Sequence, residues 1–138
     1  MKTPGRENVP ARVLIFEDDV DIARQWQRGF EAAGIATVLA HTVDAAVEAV
    51  REETFSAVVL DMFVTDNDRG YAPEGGLNVL AEINRLAEPR PPVVMVSGAV
   101  NVTLVKTLGA RLGAPTLLRK PATAEQLIAA VYEAVRNA

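Results

Sequence analysis

Carboxylates, a hydroxyl and an ammonium each stand at the end of an apolar run in this 138-residue sequence. Glu17 and Asp18 follow "VLIF", Asp61 closes "AVVLD", Ser97 and Gly98 follow "VVMV", and Lys120 precedes Pro121 after "TLLR". Three acids in a row, Glu17 to Asp19, repel one another, so they need a helix N-terminus to solvate them or a cation to neutralise them. Mg²⁺ is a hard cation that takes oxygen ligands, usually one or two carboxylates plus waters and phosphate oxygens. Asp18 and Asp61 suit direct ligation, with Glu17 acting through water. Such a cation would bring an anionic phosphodonor against an anionic carboxylate, while Lys120 and the Ser97 hydroxyl take the remaining phosphoryl oxygens. A carboxylate attacking phosphorus would then carry the group as an acyl phosphate.

That chemistry requires the strand ends to meet at one edge, and the hydrophobic pattern provides for it. Residues 1–11 carry Pro4, Gly5 and Pro10 without periodicity and read as a flexible leader, so order begins near Arg12 and one domain spans 12–138. Residues 13–16 form a continuous apolar run, as a strand covered on both faces requires. Ile22, Ala23, Trp26, Phe30 and Ala33 then fall on one side of a helix closed by Gly34. Residues 35–40 read as a second strand, and Thr42 caps a helix bearing Val43, Ala46, Val47 and Val50. After the third strand, ending at Asp61, residues 62–75 read as a loop. Leu77, Leu80 and Ile83 make the third helical stripe, stopped by residues 89–92, and "VVMVS" is a fourth strand. Residues 102–112 read as a weaker helix containing Gly109, and 116–119 as a short strand. Thr123 with Gln126 forms a capping box for a last helix whose Leu127, Ile128, Val131 and Val135 face inward. Five βα units imply a parallel sheet with helices on both faces. In such a sheet ligands bind outside the carboxyl ends of the strands, where these polar residues stand.

Composition narrows the function. Fourteen basic against 18 acidic residues leave a net charge of −4, which gives nucleic acid no general attraction to this chain. Cysteine is absent, and no run approaches the roughly 20 apolar residues of a membrane span, so a cytoplasmic protein without membrane contact is expected. Aromatics at 5% leave the core to Val, Leu, Ile and Ala.

These residues, in this order, resemble the receiver domain of two-component response regulators. "VLIFEDD" is similar to that family's first strand and acid pair, "VVLDM" to its phosphoacceptor strand, "VVMVSGA" to the hydroxyl strand and "LLRKP" to the lysine followed by proline. The resemblance implies a flavodoxin-like (βα)5 three-layer sandwich with strand order 2-1-3-4-5. It also implies Asp61 as phosphoacceptor, Glu17 and Asp18 as metal-site acids with Asp61, the Phe63 carbonyl as a further Mg²⁺ ligand, and Ser97, Gly98 and Lys120 around the phosphoryl group. The phosphodonor would be a sensor histidine kinase or a histidine phosphotransfer protein. Phe63 and Ala99 would flank the approach of a hydrolytic water; neither side chain can hydrogen-bond it, so slow self-dephosphorylation is expected.

Two features depart from the family. The glycine before the third helix, Gly76, comes later than usual, which enlarges the segment beside Asp61 and adds Asp66, Asp68 and Glu74; a solvated insertion is the favoured reading. The position three before the lysine, commonly aromatic, is Leu117, so the usual switch is weakened or altered. Asp19 reads as a helix cap, His41 is assigned no role, and Trp26 reads as packing. The acidic segment does not fit an EF-hand, because aligning Gly70 as the loop glycine puts Thr65, Asn67 and Arg69 at the first ligand positions.

The expected function is a stand-alone receiver that takes a phosphoryl group on Asp61 and changes partner binding. It is not an enzyme beyond its own phosphorylation and dephosphorylation, and a homodimer is compatible with it. A fragment of a longer regulator is a further reading. The alternatives are a pseudo-receiver that only docks partners and, less well matched, a haloacid-dehalogenase-type phosphatase using Asp19 and Asp21. The latter lacks the acidic pair expected after the lysine.

Overall fold

The computed structural model describes residues 10–62, 64–66, 70–72, 75–86, 90–98, 107, 109–111, 113–114 and 116–138. β1 (Arg12–Phe16), β2 (Ala36–Ala40), β3 (Ala57–Asp61), β6 (Val93–Ser97) and β7 (Thr116–Arg119) form one sheet in the order β2-β1-β3-β6-β7. All four pairings are parallel. Numbering only these five strands gives 2-1-3-4-5, as expected. The helices are α1 (Val20–Ala32), α2 (Val43–Glu52), α3 (Gly75–Leu86) and α4 (Ala124–Arg136). Most of the expected helix over 102–112 lies outside the described residues; 107 and 109–111 are helical. The leader 1–11 lies almost wholly outside them, and β1 begins at Arg12 as anticipated.

Strand residues alternate between two apolar layers. Val13, Ile15, Val59, Val94 and Val96 pack with Trp26 and Phe30 of α1 and Leu127 and Val131 of α4. Leu14, Phe16, Leu60 and Met95 pack with Ala46 and Val50 of α2 and Val79, Leu80 and Ile83 of α3. Because both faces are covered, the strands read as unbroken apolar runs, and their ends are the first places where polar side chains can stand.

Local chemistry sets the helix ends. The Asp19 carboxylate accepts from the backbone N–H groups of Asp21 (3.0 Å) and Ile22 (3.1 Å). Thr42 Oγ1 accepts from the Ala45 N–H at 3.1 Å, and Thr123 and Gln126 complete the capping box reciprocally. Gly34, at φ +82°, takes the left-handed conformation that ends α1 without a side-chain clash.

One expectation is corrected. The segment 62–75 is not a plain loop, because β4 (Val64–Asp66) and β5 (Gly70–Ala72) pair antiparallel, Val64 opposite Ala72 and Asp66 opposite Gly70. Val64, Thr65 and Tyr71 are strand formers flanking a run of turn-forming residues, a hairpin signal too short and too polar to register as hydrophobic periodicity. The hairpin forms its own two-stranded sheet.

Candidate phosphoryl and metal site

The ladder carries each site residue to the same edge. Phe16 pairs with Leu60 and Asp61 with Val96, while Ser97 pairs with Arg119. Hydrogen bonding then extends one residue beyond the strands: the Glu17 N–H donates to the Ala40 carbonyl (3.0 Å), Met62 to Val96 (2.9 Å) and Lys120 to Ser97 (2.9 Å). The polar residues are therefore mounted on ladder backbone, which holds them more firmly than free loops would.

Glu17 and Asp61 are fully buried and Ser97 is 1% exposed. One carboxylate oxygen from each of Glu17, Asp18 and Asp61 lies within 4.8 Å of the others, with Asp18 half-buried. The Lys120 ammonium reaches back from β7, its Nζ 2.6 Å from Glu17 Oε1 and 3.1 Å from Asp61 Oδ2. The acid run thus divides: Asp19 is committed to the cap of α1, while Glu17 and Asp18 turn into the site.

Burial, together with the hydrogen bond and charge of Asp61, pushes the Glu17 carboxyl up from 4.5 to about 9 despite the lowering effect of Lys120. For Lys120 burial alone would lower the pKa, but the Glu17 hydrogen bond and the two negative charges outweigh it and raise it. Three acids facing one ammonium carry more negative charge than a buried pocket sustains, so without a cation the cluster retains a proton, and Glu17 is where it sits. An oxygen-rich pocket that holds a proton at neutral pH fits a hard divalent cation, which would replace that proton.

The first turn of α3 is pressed onto the phosphoacceptor strand. A Cβ at Gly76 would lie 2.6 Å from the Asp61 carbonyl oxygen and 2.5 Å from Met62 Cα. Gly76→Ala gains up to about 1 kcal/mol of helix propensity but must displace backbone, an overpacking cost of about 1–3 kcal/mol. The expected result is net destabilisation, visible as a lower urea midpoint; an unchanged or raised midpoint would contradict this packing.

Gly98 is exposed beside Lys120, and among the described residues a Cβ there would meet Lys120 Cδ at 3.7 Å and Lys120 Cβ at 3.8 Å. Leu117 is half-buried against the layer that contains Met95 and Leu80. Phe63 and Ala99, assigned to metal ligation and to control of hydrolysis, lie outside the described residues, as do Asp68 and Glu74. Two residues near the site carry contacts that sequence reasoning did not anticipate. His41 Nδ1 is 3.0 Å from the Glu17 carbonyl, and Trp26 Nε1 donates to the Ala122 carbonyl at 2.9 Å, anchoring α1 to the segment just beyond Lys120. A single histidine or tryptophan has no spacing partner, so only its position near the strand-end edge hints at such a role.

The family model described as the response regulator receiver domain matches residues 13–132. The chain belongs to that family. Receiver domains are the signalling modules of two-component response regulators. A curated relative, the Bacillus subtilis (strain 168) protein named "Uncharacterized transcriptional regulatory protein YkoG", is 29% identical over 125 residues, covering 91% of this chain and 51% of its own. This receiver chain spans about half the length of the curated relatives it matches. Among solved structures, NtrX from Brucella abortus is similar at TM-score 0.78 and 29% identity, covering 92% of this chain and 27% of that one. The Francisella response regulator 1452 receiver domain matches at TM-score 0.75 and 24% identity, covering 92% of this chain and 98% of its own, a likeness of fold.

Proposed function

We propose that this receiver takes a phosphoryl group onto Asp61 in a Mg²⁺-dependent reaction and thereby changes its binding to a protein partner. The observation that carries the reading is the single cluster in which Glu17, Asp18 and Asp61 converge and Lys120 bridges Glu17 and Asp61. The donor is the phosphorylated imidazole of a sensor histidine kinase or phosphotransfer protein. An Asp61 oxygen forms the new bond to phosphorus as the nitrogen–phosphorus bond breaks, and the electron pair leaves with the imidazole, which takes up a proton. Glu17, Asp18 and Asp61 would hold the cation, which supplies charge neutralisation between the anionic donor and the anionic acceptor. Lys120 and Ser97 take phosphoryl oxygens, and exposed Gly98 leaves the entrance uncrowded.

Leu117 favours a second reading, a docking module without phosphorylation, since neither hydroxyl nor aromatic edge is available at the usual switch position. The phosphatase alternative is disfavoured by Asp19, its required nucleophile, which is exposed and caps α1. The name of YkoG speaks of transcriptional regulation; with a net charge of −4 this chain would act on such an output through protein contacts. No helix among the described residues is long and apolar enough to cross a membrane, which agrees with a site in the cytoplasm.

Mg²⁺ titration tests the metal half of this reading, with Trp26 fluorescence as reporter through its bond to the segment after Lys120. Asp18→Ala should weaken binding by at least about tenfold, the scale on which losing metal-site groups is felt. Unchanged affinity would remove Asp18 from the site.

A further inference from the structure

The register places His41 directly opposite Glu17, one step beyond the Phe16–Ala40 pair. In a parallel ladder the Glu17 N–H bonds the carbonyl of residue 40, and the Glu17 carbonyl then awaits the N–H of residue 42. The first bond is present at 3.0 Å. The second has no ladder donor, because β2 stops at Ala40 and Thr42 has turned into the N-cap of α2. The His41 side chain takes that place, with Nδ1 3.0 Å from the Glu17 oxygen. A carbonyl oxygen only accepts, so Nδ1 carries the hydrogen.

We infer that His41 is a positioning residue for the acid cluster, replacing the missing ladder bond and fixing the peptide plane between Glu17 and Asp18. The Glu17 carbonyl and the Asp18 N–H belong to one rigid planar unit, so clamping the oxygen sets the direction in which the chain leaves β1 and presents Asp18. With Glu17 held through both its N–H and its carbonyl, its carboxylate lies 2.6 Å from Lys120 Nζ. The Asp19 N–H also approaches Glu17 Oε2, at a long 3.4 Å. The inference rests on the metal-site reading proposed above.

The test compares Mg²⁺ affinity and the imidazole nitrogen spectrum in the full chain. In metal-free wild type, ¹⁵N NMR should show the His41 Nδ1 bearing hydrogen; a bare Nδ1 overturns the inference. His41→Leu should weaken Mg²⁺ binding about threefold to tenfold, the effect of losing one net hydrogen bond. His41→Asn, whose amide nitrogen sits where Nδ1 does, should stay within about twofold of wild type. Equal weakening in both variants, or none in either, overturns the inference. Should leucine prevent folding, His41→Gln, with its amide one bond farther out, takes its place in the same comparison. Wild type that binds no Mg²⁺ overturns the metal-site reading itself, and the positioning role with it.

Discussion

Lys120→Met should lose about 2 kcal/mol of stability in magnesium-free buffer at neutral pH and phosphorylate at least about tenfold more slowly from a small-molecule donor. The stability loss follows from burial. Lys120 is the ammonium that two fully buried carboxyls share, and methionine keeps the apolar stem as far as Cε while leaving Glu17 and Asp61 without that partner. Breaking a buried ion pair costs about 3–5 kcal/mol where the remaining charge has no escape. Here Glu17 can keep its proton, and the Lys120 side chain is 25% exposed, so the smaller figure applies. The rate loss has a separate origin, since a phosphoryl group on Asp61 brings new negative charge to within reach of Nζ, where a charge-assisted bond contributes roughly twice a neutral one. Added Mg²⁺ should restore much of the stability and little of the rate. Urea denaturation with and without Mg²⁺ checks the first part, and phosphorylation kinetics the second. A variant that matches wild type in both would mean that Lys120 is only a surface charge.

Without metal, stability should fall as pH rises from about 5 to 8, by an amount on the order of 4 kcal/mol relative to Glu17→Gln. The sign follows from Glu17, whose folded-state pKa of about 9 lies above its ordinary value of 4.5. Between those values the folded protein holds a proton that the unfolded chain has released, so each step up in pH favours unfolding. Below the lower value both states are protonated and the penalty vanishes. Lys120 adds nothing to the slope in this window, because its pKa is raised from 10.5 and both states stay charged. Glutamine cannot ionise, so its curve isolates the effect. Mg²⁺ should close the gap by stabilising the wild-type carboxylate, and parallel curves for the two proteins in chelator would show that Glu17 is not held protonated.

Both effects arise at strand ends, and those ends are the most legible part of the sequence. Apolar runs that stop abruptly at Asp61, Ser97 and the Glu17–Asp18 pair are what a sheet covered on both faces demands, so the site edge follows from them, while the strand order came from the resemblance to receiver domains. Capping was equally readable, since Asp19, Thr42 and Thr123 each sit one residue before their helix. The pairing of β4 with β5 was not, because three-residue strands separated by polar residues leave no hydrophobic period, and they form a sheet of their own. The buried stripe on α3 is wider than the spacing of Leu77, Leu80 and Ile83 indicates, since Val79 is buried beside Leu80 and Ile83. The end of β2 at Ala40 was legible, but the bond from His41 to Glu17 was not, because a lone histidine carries no sign of which carbonyl its ring will face. Gly76 was noticed for its late position, yet its close approach to Asp61 belongs to packing between distant elements.

The central claim is that Asp61 accepts the phosphoryl group with Mg²⁺ beside it. Intact-protein mass spectrometry after incubation with acetyl phosphate and Mg²⁺ tests it directly, with Asp61→Asn and a chelator control alongside. Wild type should gain the mass of one phosphoryl group, lose the ability to do so in chelator, and be the only one of the two proteins to gain it. An unmodified wild type would favour the docking module, and equal modification of Asp61→Asn would place the chemistry on another residue.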